Sequence, residues 1–183
     1  VVLVLLATTV AFTLMFLNLV LADRLAPRQS LVAGSPDEEI VERFQAWVSR
    51  RVLKFRLAVS GFFGLLIGLG AGAWWEHWLL YQNRQSFGTT DPVFGNDLGF
   101  YVFETPFYRD LFGWGFQFFL ITLFVVAALH YLNGGIQVQP RRQKVAPGVK
   151  AHLSVLVAII ALLKAGGYWL DRKLGLMERF PVF

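Results

Sequence analysis

Two kinds of side chain in this sequence could support a site: charges placed inside apolar runs, and imidazoles that share a depth. Glu76 and Lys164 fall within long hydrophobic stretches, where a charge is costly unless it is paired or reaches water. At 1.5 Å per residue they lie about five and about seven residues from the outer ends of their stretches, so an intramembrane ion pair is expected near the outer leaflet. The plainer alternative is that Lys164 snorkels outward alone and Glu76 faces solvent. His130 and His152 also share a depth, near the inner ends of two consecutive stretches. Two axial imidazoles on neighbouring antiparallel helices are an arrangement that holds haem, or by analogy a chlorophyll-type pigment, and two interfacial hydrogen-bonding groups are the simpler reading.

Other chemistries find no constellation. The chain has no Cys, which removes disulfides, thiolate metal sites and Cys nucleophiles. Asp91 and Asp97 read as turn caps in preference to ligands of a divalent ion. The glycines from Gly64 to Gly72 lie in an apolar run without an adjoining Lys-Ser/Thr, so they do not form a phosphate loop. No catalytic residue and no metal site are expected, and no cofactor beyond the haem or pigment.

The elements that must position these groups follow from composition. Hydrophobic residues make up 56% of the 183 and charged residues only 16%, with 18 Phe and a mean hydropathy of +0.53. That is too little polar surface for an ordinary soluble domain, and the lipid bilayer is the expected solvent. A net charge of +5 and a pI near 9.8 raise nucleic acid as a partner, yet the basic residues flank apolar runs and form no reading face, so no nucleic acid is expected. The opening VVLVLL lacks a basic leader, so an intact signal peptide is not read there and an upstream segment is expected.

The sequence predicts an all-α membrane protein forming one domain over 1–183, with four transmembrane helices at about 1–22, 57–81, 107–132 and 151–170. The second is the organising one. Ser60, Gly64, Gly68 and Gly72 recur every fourth residue and give a helix-packing face that another backbone can approach closely. Trp74, Trp75, Trp78 and Tyr81 then anchor its outer end. A cytoplasmic interfacial amphipathic helix is predicted at 36–52, where Ser35-Pro36-Asp37-Glu38 forms a helix start and an apolar stripe follows. In the first span, Thr8, Thr9 and Thr13 can bond to their own helix, and Asn18 is expected to make a packing contact. Residues 82–106 are too interrupted by Gly and Pro to span anything and read as an aromatic loop, in which Phe100 to Phe103 admits a short extended piece.

Orientation follows from basic residues. Arg24, Arg28, Arg43, Arg50, Arg51, Lys54 and Arg56, with Arg141, Arg142, Lys144 and Lys150, place eleven on one side. Arg84, Arg109, Arg172, Lys173 and Arg179 place five on the other. Loops 23–56 and 133–150 are therefore expected in the cytoplasm and the aromatic loop outside.

The run FGTTDPVFGNDLGFYVFETPFYRD, preceded by WWEHWLLYQN and followed by HYLNGG and LLKAGGYWLDR, resembles uncharacterised protein family 0182, a family of bacterial multi-pass inner-membrane proteins. Asp91, Pro92, Phe94, Asp97, Phe100, Tyr101, Phe103, Pro106, Phe107, Tyr108 and Arg109 carry the resemblance, which covers about Gly61 to Asp171. It implies several membrane helices followed by a large extracytoplasmic domain, so this chain would be an N-terminal transmembrane portion. It carries over no catalytic residue. The expected role is a non-catalytic scaffold or accessory subunit of a membrane complex, contacting other integral membrane proteins or its own outer domain through the glycine face and the loop. The alternatives are a transporter or channel component using Glu76 and Lys164, and a pigment carrier using His130 and His152.

Overall fold

Apolar runs free of internal proline become helices. In the computed structural model, which describes residues 1–25, 51–139 and 142–179, these are α1 (Val2–Leu25), α2 (Val52–Gly70), α3 (Trp75–Gln82), α4 (Thr105–Leu132) and α5 (Pro147–Arg179). Counting α2 and α3 as one span, four helices among the described residues are long and apolar enough to cross a membrane. Apart from its last two residues, the amphipathic helix expected at 36–52 lies outside the described residues.

Three local departures from the expected spans have physical causes. The second span is not a continuous α-helix: Ala71–Trp74 forms a 3₁₀ turn between α2 and α3, at the pair Gly70 and Gly72, where helix propensity is weakest. Phe100–Glu104 is a π turn, not an extended piece. It leads directly into α4, whose second residue is Pro106. A proline has no N–H to give to the carbonyl four residues back and its ring crowds that carbonyl, which favours a wider turn just before it. The basic segment after α4 contains a two-stranded antiparallel hairpin, β1 (Ile136–Gln139) with β2 (Arg142–Val145), in which Ile136 pairs with Val145.

The helices pack as two antiparallel hairpins. Along the second span, a Cβ at Gly64 would lie 3.1 Å from Phe12 Cα, one at Gly68 would lie 2.6 Å from Thr8 Cα, and one at Gly72, in the 3₁₀ turn, would lie 3.3 Å from Val4 Cγ2. The small residues of the second span thus meet Val4, Thr8 and Phe12 of α1 turn by turn, because both helices repeat at four residues in opposite directions. Ser60, on the same stripe, is fully buried. This corrects the expectation that the glycine face contacts another protein, since α1 of the same chain covers it. The other hairpin, α4 with α5, is built reciprocally: Leu163 lies against Gly115 and Phe112 against Gly166. Ala11, Met15, Leu19 and Ala22 of α1 form a stripe that joins the two hairpins, in one buried cluster with Phe118, Val126 and Leu129 of α4 and Leu156 of α5.

Candidate functional site

Polar side chains gather at the two ends of the bundle. At the hairpin end, Arg56 of α2 donates to Asp23 Oδ2 from both Nε (2.8 Å) and Nη2 (2.6 Å), and Asn133 Nδ2 donates to Asp23 Oδ1 (2.8 Å). One carboxylate at the end of α1 thereby ties α2 and the end of α4 together. Beside it runs a second chain. Asn18 Nδ2 donates to Leu14 O (2.7 Å), so its Oδ1 must accept from His152 Nε2, 3.1 Å away. With neutral rings, His152 Nδ1 is then the acceptor for His130 Nε2–H at 3.2 Å. His130 Nδ1 is buried without a partner.

This geometry does not suit the haem or pigment alternative. Two imidazoles on one metal would hold their nitrogens roughly 4 Å apart, about twice a metal–imidazole bond, with the macrocycle between them. Here the rings meet edge to face, 90° apart, with facing nitrogens in hydrogen-bond contact. His130 and His152 fasten α4 to α5, and Asn18, expected only to pack, fastens them to α1.

At the loop end, His77 Nδ1–H of α3 donates to Asp110 of α4 at 2.6 Å, and Arg109 Nη2 of α4 donates to Asp171 of α5 at 2.9 Å. The expected pair between Glu76 and Lys164 is not formed. Glu76 is exposed, and Lys164 Nζ lies over the rings of Phe116 (4.9 Å) and Tyr168 (5.3 Å). The helices explain this: the second span packs on α1 while α5 packs on α4, so matching depth did not bring the two charges together.

The loop between α3 and the π turn is organised by two carboxylates. Asp91, only 2% exposed, accepts from the N–H groups of Val93, Phe94 and Asn96 and from the Tyr101 hydroxyl. Pro92 follows it in the position a turn favours, and Gly95 takes the left-handed φ of +67° that returns the chain. Asp97 accepts from the N–H groups of Phe87, Gly88 and Gly99 and from the Ser86 hydroxyl. Burial pushes the Asp91 carboxyl up, but the hydrogen bonds from Phe94, Tyr101, Asn96 and Val93 outweigh it and hold it below the usual range. The Ser86 hydroxyl, with the Phe87, Gly99 and Gly88 amides, holds Asp97 at about 2. Among the described residues, no cluster of three or more His, Asp or Glu is arranged for a metal.

Other motif residues lock the loop to the helices. Phe103 packs on Phe87 (5.6 Å), and Phe107 packs on Trp78 (5.2 Å) and Tyr81 (4.8 Å). Tyr108 donates to Glu104. Lys173 of α5 reaches into the loop: its ammonium lies 4.1 Å from the Trp169 ring, 5.2 Å from Phe100 and 5.6 Å from Phe94, and donates to Asn96 Oδ1. Sequence reasoning missed this cage, because its residues come from a loop, a π turn and a helix end far apart in the chain. His77 with Asp110 and Asp23 with Arg56 were more accessible. Tracking the depth of polar residues at span ends, and not only within spans, would have exposed both.

A carboxylate depressed to about 2 contributes stability at every pH above its unfolded value, and loses it as pH falls through the folded one. Pepsin cleavage within residues 87–100 should therefore accelerate from about pH 4 to about pH 2, after correction against a denatured control. Asp97→Asn should show fast cleavage already at the upper end. Equal rates for both proteins across that range would refute the role given to Asp97.

An uncharacterised protein family, UPF0182, matches residues 1–182. A UPF0182 protein of Salinispora tropica is 43% identical over 161 residues, covering 88% of this chain and 16% of the relative. One from Frankia casuarinae is 43% identical over 155 residues (85% and 15%), and one from Streptomyces coelicolor is 36% identical over 155 (85% and 15%). The chain thus spans about one sixth of the length of these curated relatives. No solved structure matches it.

Proposed function

The chain belongs to the uncharacterised protein family UPF0182, and from that membership we propose that it is a non-catalytic scaffold in a bacterial inner membrane, holding a rigid extracytoplasmic platform for the rest of a much longer protein. The observation that carries this reading is the closed state of the loop. Each of its two carboxylates already accepts three N–H groups and one hydroxyl. Carboxylates so engaged are poor general bases and poor metal ligands, and serve to fix backbone. Lys173 then joins this fixed backbone to α5, and Arg109 ties α4 to α5 beside it, so loop and helices form one unit. The eleven-to-five distribution of basic residues supports an outward-facing loop.

Val93 and Phe87 are half-exposed on this platform, at 53% and 51%. In the full-length protein, a photo-crosslinking residue at either position should join the loop to a segment of the same polypeptide beyond residue 183, identified by peptide mapping. A Cys at Val93 should react with a membrane-impermeant maleimide added to intact cells. Crosslinks to lipid alone, or a Val93→Cys protein labelled only after the cells are opened, would end this reading.

A further inference from the structure

The polar groups at the two ends of the bundle form layers whose spacing is set by helix geometry. Asp110 and His130 are twenty residues apart on α4, His152 and Asp171 nineteen apart on α5, and Arg56 and His77 twenty-one apart on the second span. Each rise is about 30 Å, the thickness of a bilayer's hydrocarbon core. Between the layers the described residues of the four spans carry two charged side chains, Glu76, a single residue inside the His77 layer, and Lys164, which alone stands deep. It stands about 18 Å from the His152 layer and about 10 Å from the Asp171 layer. A stem of four methylenes covers only roughly half of the shorter distance.

Lys164 is also on the outside. It is exposed, its ammonium lies over the Phe116 and Tyr168 rings, and among the described residues no carboxylate lies within ion-pairing distance. Ring faces attract an ammonium but accept none of its three N–H groups as a carboxylate would. Charges at such depth face protein or water and are paired. Beside Lys164, on an exposed face centred about 100° around α5 from it, Ala151, Ser154, Ala158, Ala161 and Ala165 lie alternately three and four residues apart. Small residues at helical spacing are what allow α1 to lie on α2 in this same molecule. The charge indicates what must cover the face, and the small residues show that a helix can approach it.

We propose that this face of α5 receives a further membrane-spanning helix that places an Asp or Glu carboxylate against Lys164. The inference stands independently of the scaffold role, since it rests on the depth and exposure of one side chain.

The test uses the full-length protein in native membranes, with a photo-crosslinking residue at Ala161 or Ala165. The expected product joins α5 to a peptide from an apolar span that contains Asp or Glu. Lys164→Glu should lower its yield by at least about tenfold, and converting that acid to Lys in the same protein should restore it. Lys164→Met, which adds no charge to the bilayer, should give a comparable loss and separates lost pairing from failed insertion. Products with lipid only, capture of a helix without an acid, or capture unchanged in Lys164→Met would each overturn the proposal.

Discussion

Gly68→Leu should cost the protein about 3 kcal/mol or more and lower its melting temperature in mild detergent by roughly 6 to 12 °C. A Cβ at this position would lie 2.6 Å from Thr8 Cα and 2.7 Å from Thr8 N, so the obstruction is backbone and no rotamer change relieves it. The only escape is to part α1 from α2. That would expose the buried Ser60 and pull Ala11 and Met15 away from Phe118, opening the cluster that joins the two hairpins. Gly64→Leu should follow at a smaller cost, because its nearest neighbour, Phe12, would be 3.1 Å away. Gly61→Ala and Gly70→Ala are the controls. Nothing lies within 4 Å of a Cβ at either, and alanine improves helix propensity by up to about 1 kcal/mol. An unchanged melting temperature for Gly68→Leu, or equal losses at Gly61 and Gly68, would refute the glycine seam.

The contrast between Gly68 and Gly61 shows what periodicity can and cannot reveal. Four-residue spacing marks a face, because residues so spaced lie above one another on a helix, and the face was legible without coordinates. The identity of its occupant was not, because Val4, Thr8 and Phe12 look like any lipid-facing residues until α1 is laid antiparallel on α2. Glu76 and Lys164 illustrate the opposite error. Depth along a helix is a one-dimensional coordinate, and a shared depth implies contact only if the two helices are neighbours and the residues share an azimuth. His130 and His152 shared depth on adjacent helices and did meet, as hydrogen-bond partners. The loop's dense aromatic motif was readable as a unit, whereas the Lys173 cage depends on a fold that brings residues 94, 100, 169 and 173 together.

Asp91→Ala should dismantle the loop while leaving the helical hairpins in place. The side chain is almost wholly buried, and its removal orphans the N–H groups of Val93, Phe94 and Asn96 together with the Tyr101 hydroxyl. Hydrogen bonds to a charged acceptor contribute about 1.5 to 3 kcal/mol each, and because the four share one carboxylate their losses will not simply add. A local cost of about 3 to 5 kcal/mol is the reasonable expectation. The consequence should travel to α5. Phe94 and Asn96 both touch Lys173, so a freed loop releases that ammonium. Hydrogen exchange by mass spectrometry should show peptides covering residues 88–100 losing most of their protection, with a smaller gain in exchange near Trp169, while peptides from α1 and α2 stay as in the parent protein. Asp91→Asn keeps an acceptor oxygen and should fall between the two. Asp97→Ala should be milder than Asp91→Ala, since Asp97 is the more accessible carboxylate and water can replace part of what it accepts. If Asp91→Ala leaves protection of residues 88–100 intact, this carboxylate does not hold the loop, and the rigidity on which the platform reading depends has another source.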